Sequence, residues 1–173
     1  MSYKYAPGID PLSFVFPTDR GWLYIVTFTN RSANFEGIDL LENNQLSFEI
    51  DFSRSELDHP LKGNDPLVAL TLGIIIQSQL EAMGELPIYY FVCEINDQKQ
   101  AGRAHLFTKW FESGGPAGWD LVNFEMEDSQ ENGLLYYAGL LVHVEHPNCA
   151  LIPDVFAQFL EQDVTSGKFI RRR

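Results

Sequence analysis

Hydrophobic and polar positions along the chain fall into segments of two periods, one of two residues and one of three to four. Leu46, Phe48, Ile50 and Phe52 alternate with Ser47, Glu49, Asp51 and Ser53. That pattern predicts a strand buried on one face and wet on the other. Residues 12–17 and 22–29 read as two earlier strands, joined by the turn sequence Pro17-Thr18-Asp19-Arg20-Gly21. The run 87–95 (Pro-Ile-Tyr-Tyr-Phe-Val-Cys-Glu-Ile) is apolar on both faces, as a central strand covered from both sides would be. Residues 119–126 and 134–144 predict two more strands, separated by the polar segment 127–133.

Three helices are marked by their ends. Asp65-Pro66 supplies an N-cap and a first helical position, and Gly84 fits the stop of a helix reaching about Met83. Residues 67–76 of that helix are apolar nearly all round, which predicts heavy burial. Asn96-Asp97 caps a second helix running to about Glu112, and Ser113-Gly114-Gly115-Pro116 breaks it. Pro153-Asp154 opens a third, to about Gln162. The order is β-β-β-α-β-α-β-β-α, an α+β class with helices on a mostly antiparallel sheet. The strands flanking the first helix are expected as parallel neighbours, joined by a right-handed crossover. Residues 1–164 read as a single domain and 165–173 as a basic C-terminal tail.

Composition narrows the function classes. Twelve basic residues stand against 24 acidic ones, a net charge of −12. That balance argues against nucleic acid and against anionic membrane surfaces as partners. The longest apolar stretches are about ten residues, short of the roughly 20 a membrane span needs. Cys93 and Cys149 make neither a disulfide scaffold nor a zinc framework, and the N-terminus has no apolar signal core. These features point to a reducing cytoplasm.

Candidate chemistry concentrates on the second helix. At 100° per residue, Gln100 and Arg103 share a side with Phe107, Trp110 and Phe111. An arginine on an apolar stripe needs an acceptor. It either locks the helix through Glu94, Asp97, Glu49 or Asp51, snorkels to water, or serves as a pocket cation that takes a ligand carboxylate or phosphate. The ligand-binding candidates are therefore Asp97, Gln100 and Arg103. Glu49 and Asp51 are expected to be solvated or paired with Arg54 or Arg103. Lys62, Gly63 and Asn64 precede the first helix, where backbone N–H groups can hold phosphate, although the Asp65 charge competes for the same donors. His143, Glu145, His146 and Cys149 match no zinc spacing and read as a solvated strand end. No Walker loop, Rossmann fingerprint or nucleophile elbow occurs, and no cofactor or metal is assigned.

Two resemblances add to this. The strand order resembles the C-terminal two-thirds of the GCN5-related N-acetyltransferase fold, in which an Arg/Gln-x-x-Gly-x-Gly/Ala loop before the corresponding helix binds the acetyl-CoA pyrophosphate. Here His59-Pro-Leu-Lys-Gly-Asn-Asp-Pro66 lacks the glycine pair. That resemblance implies an acyl-CoA at Lys62, Gly63 and Asn64, and a splayed parallel pair formed by residues 47–52 and 88–95. The segment from Cys93 to Phe111, with Asp97, Gln100, Arg103, Leu106, Phe107 and Trp110, is similar to a family of small uncharacterised bacterial proteins, a domain of unknown function. It implies no activity. The expected function is a non-catalytic binding or interaction domain for a small molecule or protein; the alternative is a diverged GCN5-related N-acetyltransferase-like enzyme binding an acyl-CoA.

Overall fold

The computed structural model describes residues 2–35, 46–63, 65–83, 86–93, 99–128, 134–163 and 168–172. Eight strands form one mixed sheet: β1 (Ala6–Pro7), β2 (Ser13–Pro17), β3 (Trp22–Asn30), β4 (Ser47–Glu56), β5 (Ile88–Cys93), β6 (Trp119–Asp128), β7 (Leu134–His143) and β8 (Lys168–Arg172). The helices are α1 (Pro66–Met83), α2 (Gln100–Gly114) and α3 (Ile152–Asp163), and a 3₁₀ turn covers Ser32–Phe35. Strand order is β1-β2-β3-β4-β5-β7-β6-β8, and every neighbouring pair is antiparallel except β4 and β5. The molecule is α+β, as the alternation of periods predicts. Lys168–Arg172, read from the sequence as part of a tail, adds a strand to β6.

Strand alternation sorts the side chains onto two faces. Phe48 and Ile50 of β4, Tyr89 of β5 and Leu141 of β7 join Val68, Ala69, Leu72, Ile75 and Ile76 of α1 and Trp110 of α2 in one core. Ile88 and Tyr90, Phe124 and Met126, and Leu140 and Val142 form a second core with α3 on the opposite face. In α3, Ile152, Val155, Phe156, Phe159 and Leu160 are all buried. Their spacing is the i, i+3, i+4, i+7, i+8 stripe of a helix with one apolar side.

α1 is largely buried over residues 67–76, as its all-round apolar sequence predicts: seven of these ten positions are buried and Ile74 alone is exposed, at 44%. It lies beside α2, where Gly73 abuts the Gly114 carbonyl so closely that a Cβ would overlap it. β5 is covered on both faces over most of its length, but Val92 is 41% exposed, on the face that α3 covers farther back along the strand. Gly139 of β7 sits opposite Phe91 and leaves the space its ring occupies.

The α1 crossover makes β4 and β5 parallel, but their ladder joins only Ser47–Glu49 to Ile88–Tyr90. β4 continues to Glu56 and β5 to Cys93 with no further pairing between them. The sheet therefore opens into a wedge at the C-terminal ends of its two parallel strands. α1 and α2 both begin on that side, since each follows one of those strands. In open sheets, ligands are held at such a place, beyond the carboxyl ends of parallel strands.

Candidate functional site

Aromatic bulk from α2 packs over the diverging ends of β4 and β5. The Phe107 ring lies 4.8 Å from Phe52 of β4 and 4.7 Å from Phe91 of β5, centroid to centroid. Trp110, one turn on, packs against Phe107 at 5.4 Å, Tyr24 at 6.2 Å and Phe52 at 6.5 Å. Behind these rings, between the sheet and both helices, lies an apolar cavity of about 40 Å³, bounded by Ile50, Leu72, Ile76, Leu121 and Leu141.

At the mouth of the wedge is a cleft of about 650 Å³. Tyr24, Phe52, Phe107 and Trp110 supply its apolar wall, and Arg54, Lys99 and Arg103 supply its charges. No acidic side chain lines it among the described residues. Arg54 is the fourth member of the period-two stripe Phe48, Ile50, Phe52, and Lys99 stands one turn before Arg103. Lys99 occupies the N-cap position of α2 and makes no side-chain cap hydrogen bond. The Cβ position of Gly102 meets open space.

An adjoining hollow of about 300 Å³ shares Tyr24 and Arg54 with this cleft and adds Arg20, Lys62 and Gly63, with Asp65 as its acid. The Arg54 guanidinium lies 4.3 Å over the Trp22 ring, a cation–π contact that holds it at the junction of the two hollows. Arg20 donates to the Lys62 carbonyl. Five of the twelve basic residues thus line two contiguous hollows in a chain of net charge −12. Local field, not total charge, decides what a cleft attracts.

The residues singled out from sequence separate into groups. Arg103 lines the cleft, half-buried. Gln100 is buried, and its amide donates to the Leu135 carbonyl of β7 at 3.0 Å while Oε1 has no hydrogen-bond partner among the described residues. It therefore ties α2 to the sheet and does not line the cleft. Lys62 and Gly63 line the adjoining hollow. Asp97 and Asn64 lie outside the described residues, as does Glu94. The cap expected at Asn96-Asp97 falls there too, and the helix itself begins at Gln100. Arg20, Arg54 and Lys99 were missed as cleft residues; the strand stripe pointed to Arg54 and the helical spacing to Lys99.

Asp65 does cap α1: Oδ1 accepts from the Leu67 N–H at 3.1 Å, and Oδ2 accepts from the Tyr3 hydroxyl at 2.8 Å. Burial and then this carboxylate push the Tyr3 phenol up to about 12. The start of α1 thus already holds a negative charge. Glu49 pairs with Arg31 at 2.9 Å, a partner not foreseen in place of Arg54 or Arg103. Burial pushes the Cys93 thiol up to about 11, with the nearby Arg103 charge pulling it down. A thiol so placed is neutral at pH 7 and a poor nucleophile.

The segment after β7 departs from the solvated strand end read from sequence. His146 is buried, and its Nδ1 accepts from the Asn148 N–H at 3.1 Å. Burial, then the neighbouring His143, lowers its pKa. Among the described residues no three His, Cys, Asp or Glu side chains group as metal ligands. No helix among them is long and apolar enough to cross a membrane.

Comparison with known proteins returns no match, whether with family models, curated proteins or solved structures.

Proposed function

We propose that this domain is a non-catalytic binding module for a small anionic molecule, held in the cleft between β4 and the N-terminal half of α2. The observation that carries the reading is the convergence of Arg54, Lys99 and Arg103 on one apolar-walled cleft. A guanidinium presents parallel N–H donors that match a carboxylate or phosphate, and such bonds strengthen where water is partly excluded. The aromatic wall gives the site a low-dielectric side. The Cys93 thiol close by is held neutral by burial and is a poor nucleophile.

The test is titration with inorganic phosphate and with acetate at low ionic strength, followed by backbone amide NMR shifts. Saturable shifts in residues 99–107 and 52–54 are expected. Arg103→Ala is expected to weaken binding about tenfold or more, the worth of a charge-assisted hydrogen-bond pair, with a small change in Tm. A large fall in Tm with binding retained would instead assign Arg103 to a structural ion pair. A protein that shows no saturable shift overturns the reading. If Arg103→Ala does not fold, Arg54→Ala with Lys99→Ala asks the same question from exposed positions.

A second reading, a diverged GCN5-related N-acetyltransferase-like enzyme binding an acyl-CoA, is favoured by one specific observation. Among the described residues the sheet has a single parallel pair, β4 and β5, which diverge beyond three paired residues, and α1 starts beside Lys62 and Gly63. The capping carboxylate of Asp65 counts against it, because it takes a first-turn N–H that a pyrophosphate would need. Acetyl-CoA at millimolar concentration separates the two readings. A rise in Tm that phosphate does not reproduce favours the enzyme, and no rise removes it.

A further inference from the structure

Resting on that anion-binding reading, we infer that the ligand is amphipathic: a carboxylate with a short alkyl tail, its head at Arg103 and its tail in the apolar cavity between the sheet and the helices α1 and α2. Phe52, Phe107 and Trp110 line both the charged cleft and the inner apolar cavity. The two spaces are thus the opposite sides of one aromatic partition. The inner space has about 40 Å³ and only apolar side chains around it, with Gly73, Gly115 and Pro116 completing the wall. A site needs two to four polar partners to keep a water, and an apolar void without them takes up apolar groups instead.

Size limits the tail. One water-sized sphere occupies about 10–15 Å³ on this measure, so the cavity accepts roughly three heavy atoms. That is too small for an added ring and right for a few methylenes. Phe107 stands on this partition, half-buried and held by ring contacts to Phe52, Phe91 and Trp110. A side chain held only by dispersion can change rotamer to admit a slim alkyl group. The charged head is stopped at the mouth, where Arg54, Lys99 and Arg103 stand; beyond it the described lining is apolar.

The experiment is a chain-length series on the intact protein: acetate, propionate, butyrate, pentanoate and octanoate, with inorganic phosphate as the tail-less reference, each titrated by calorimetry or amide shifts at pH 7. Affinity is expected to rise about fourfold per methylene while the tail fills the cavity. It then falls for octanoate. Leu121→Phe, which narrows the inner cavity, is expected to leave phosphate and acetate binding unchanged and to abolish the gain with chain length. If Leu121→Phe does not fold, the wild-type series alone decides. Equal affinities for acetate and pentanoate, with phosphate bound, overturn the amphipathic ligand and leave the anion site standing. A chain-length gain that survives in Leu121→Phe overturns the placement of the tail. Absence of binding by every probe overturns both readings together.

Discussion

His146 carries the strongest pH argument of any single residue. It is 6% exposed, and its Nδ1 is an acceptor for the Asn148 N–H, so the neutral ring fits its site. Burial first, and the neighbouring His143 second, lower its pKa below the ordinary 6.5. In the unfolded chain the same ring takes up a proton near pH 6.5. The unfolded state therefore binds more protons than the folded one just below that pH. Stability must fall as pH drops through 6.5, and the loss ends once the folded ring is protonated as well. Urea midpoints measured from pH 8 to 5 should show this decline, and His146→Asn should flatten it by removing the titrating group. A decline unchanged in the variant would show that His146 does not cause it.

Elements, rather than residues, explain why the wedge keeps its shape. α1 and α2 approach at Gly73 and Gly114, where a methyl on Gly73 would overlap the Gly114 carbonyl, which belongs to the backbone and cannot turn aside. Gly73→Ala should push α2 away from α1 at a cost of about 1–3 kcal/mol, the usual toll of overpacking. Because α2 carries Arg103, Phe107 and Trp110, anion affinity should fall with it. Thermal unfolding and phosphate titration of the variant check both, and an unaltered Tm would show that the helices separate freely. The element boundaries were largely legible, because strand alternation and the Asp65-Pro66 start are local signals. The heavy burial of α1 was legible too, but its all-round apolar sequence gives no sign of which side meets the sheet, and Ile74 is the position left 44% exposed. Strand β8 was hidden because five residues with three cations, Lys168, Arg171 and Arg172, look like a tail, while their pairing with β6 is set across about 40 positions. The site was half legible. Arg103 stood out on an apolar stripe, but Arg20, Arg54 and Lys99 come from other parts of the chain and meet only through the fold.

Over the whole molecule, the charge pattern sets which anions the protein accepts. The total of −12 and the cation-lined cleft pull in opposite directions. Their ranges differ. Charges in the cleft act on a small ligand at contact distance, where screening is weak, whereas the distributed acids act across the surface and are screened beyond about 8–10 Å at physiological salt. A small anion inside the cleft is therefore held by its near neighbours. A polyanion has to lie across the acidic surface outside the hollows, and each phosphate placed there meets repulsion instead of a released counterion. The expected outcome is selectivity by size: phosphate and short carboxylates bind, while duplex DNA and heparin do not, even at about 50 mM salt where basic proteins hold them most tightly. Heparin chromatography and an electrophoretic shift with duplex DNA make the measurement. Retention that Arg54→Ala and Lys99→Ala abolish would show that the basic hollows extend into an open polyanion track. The cleft would then be one end of a larger surface, and the acidic remainder of the molecule would no longer govern what it binds.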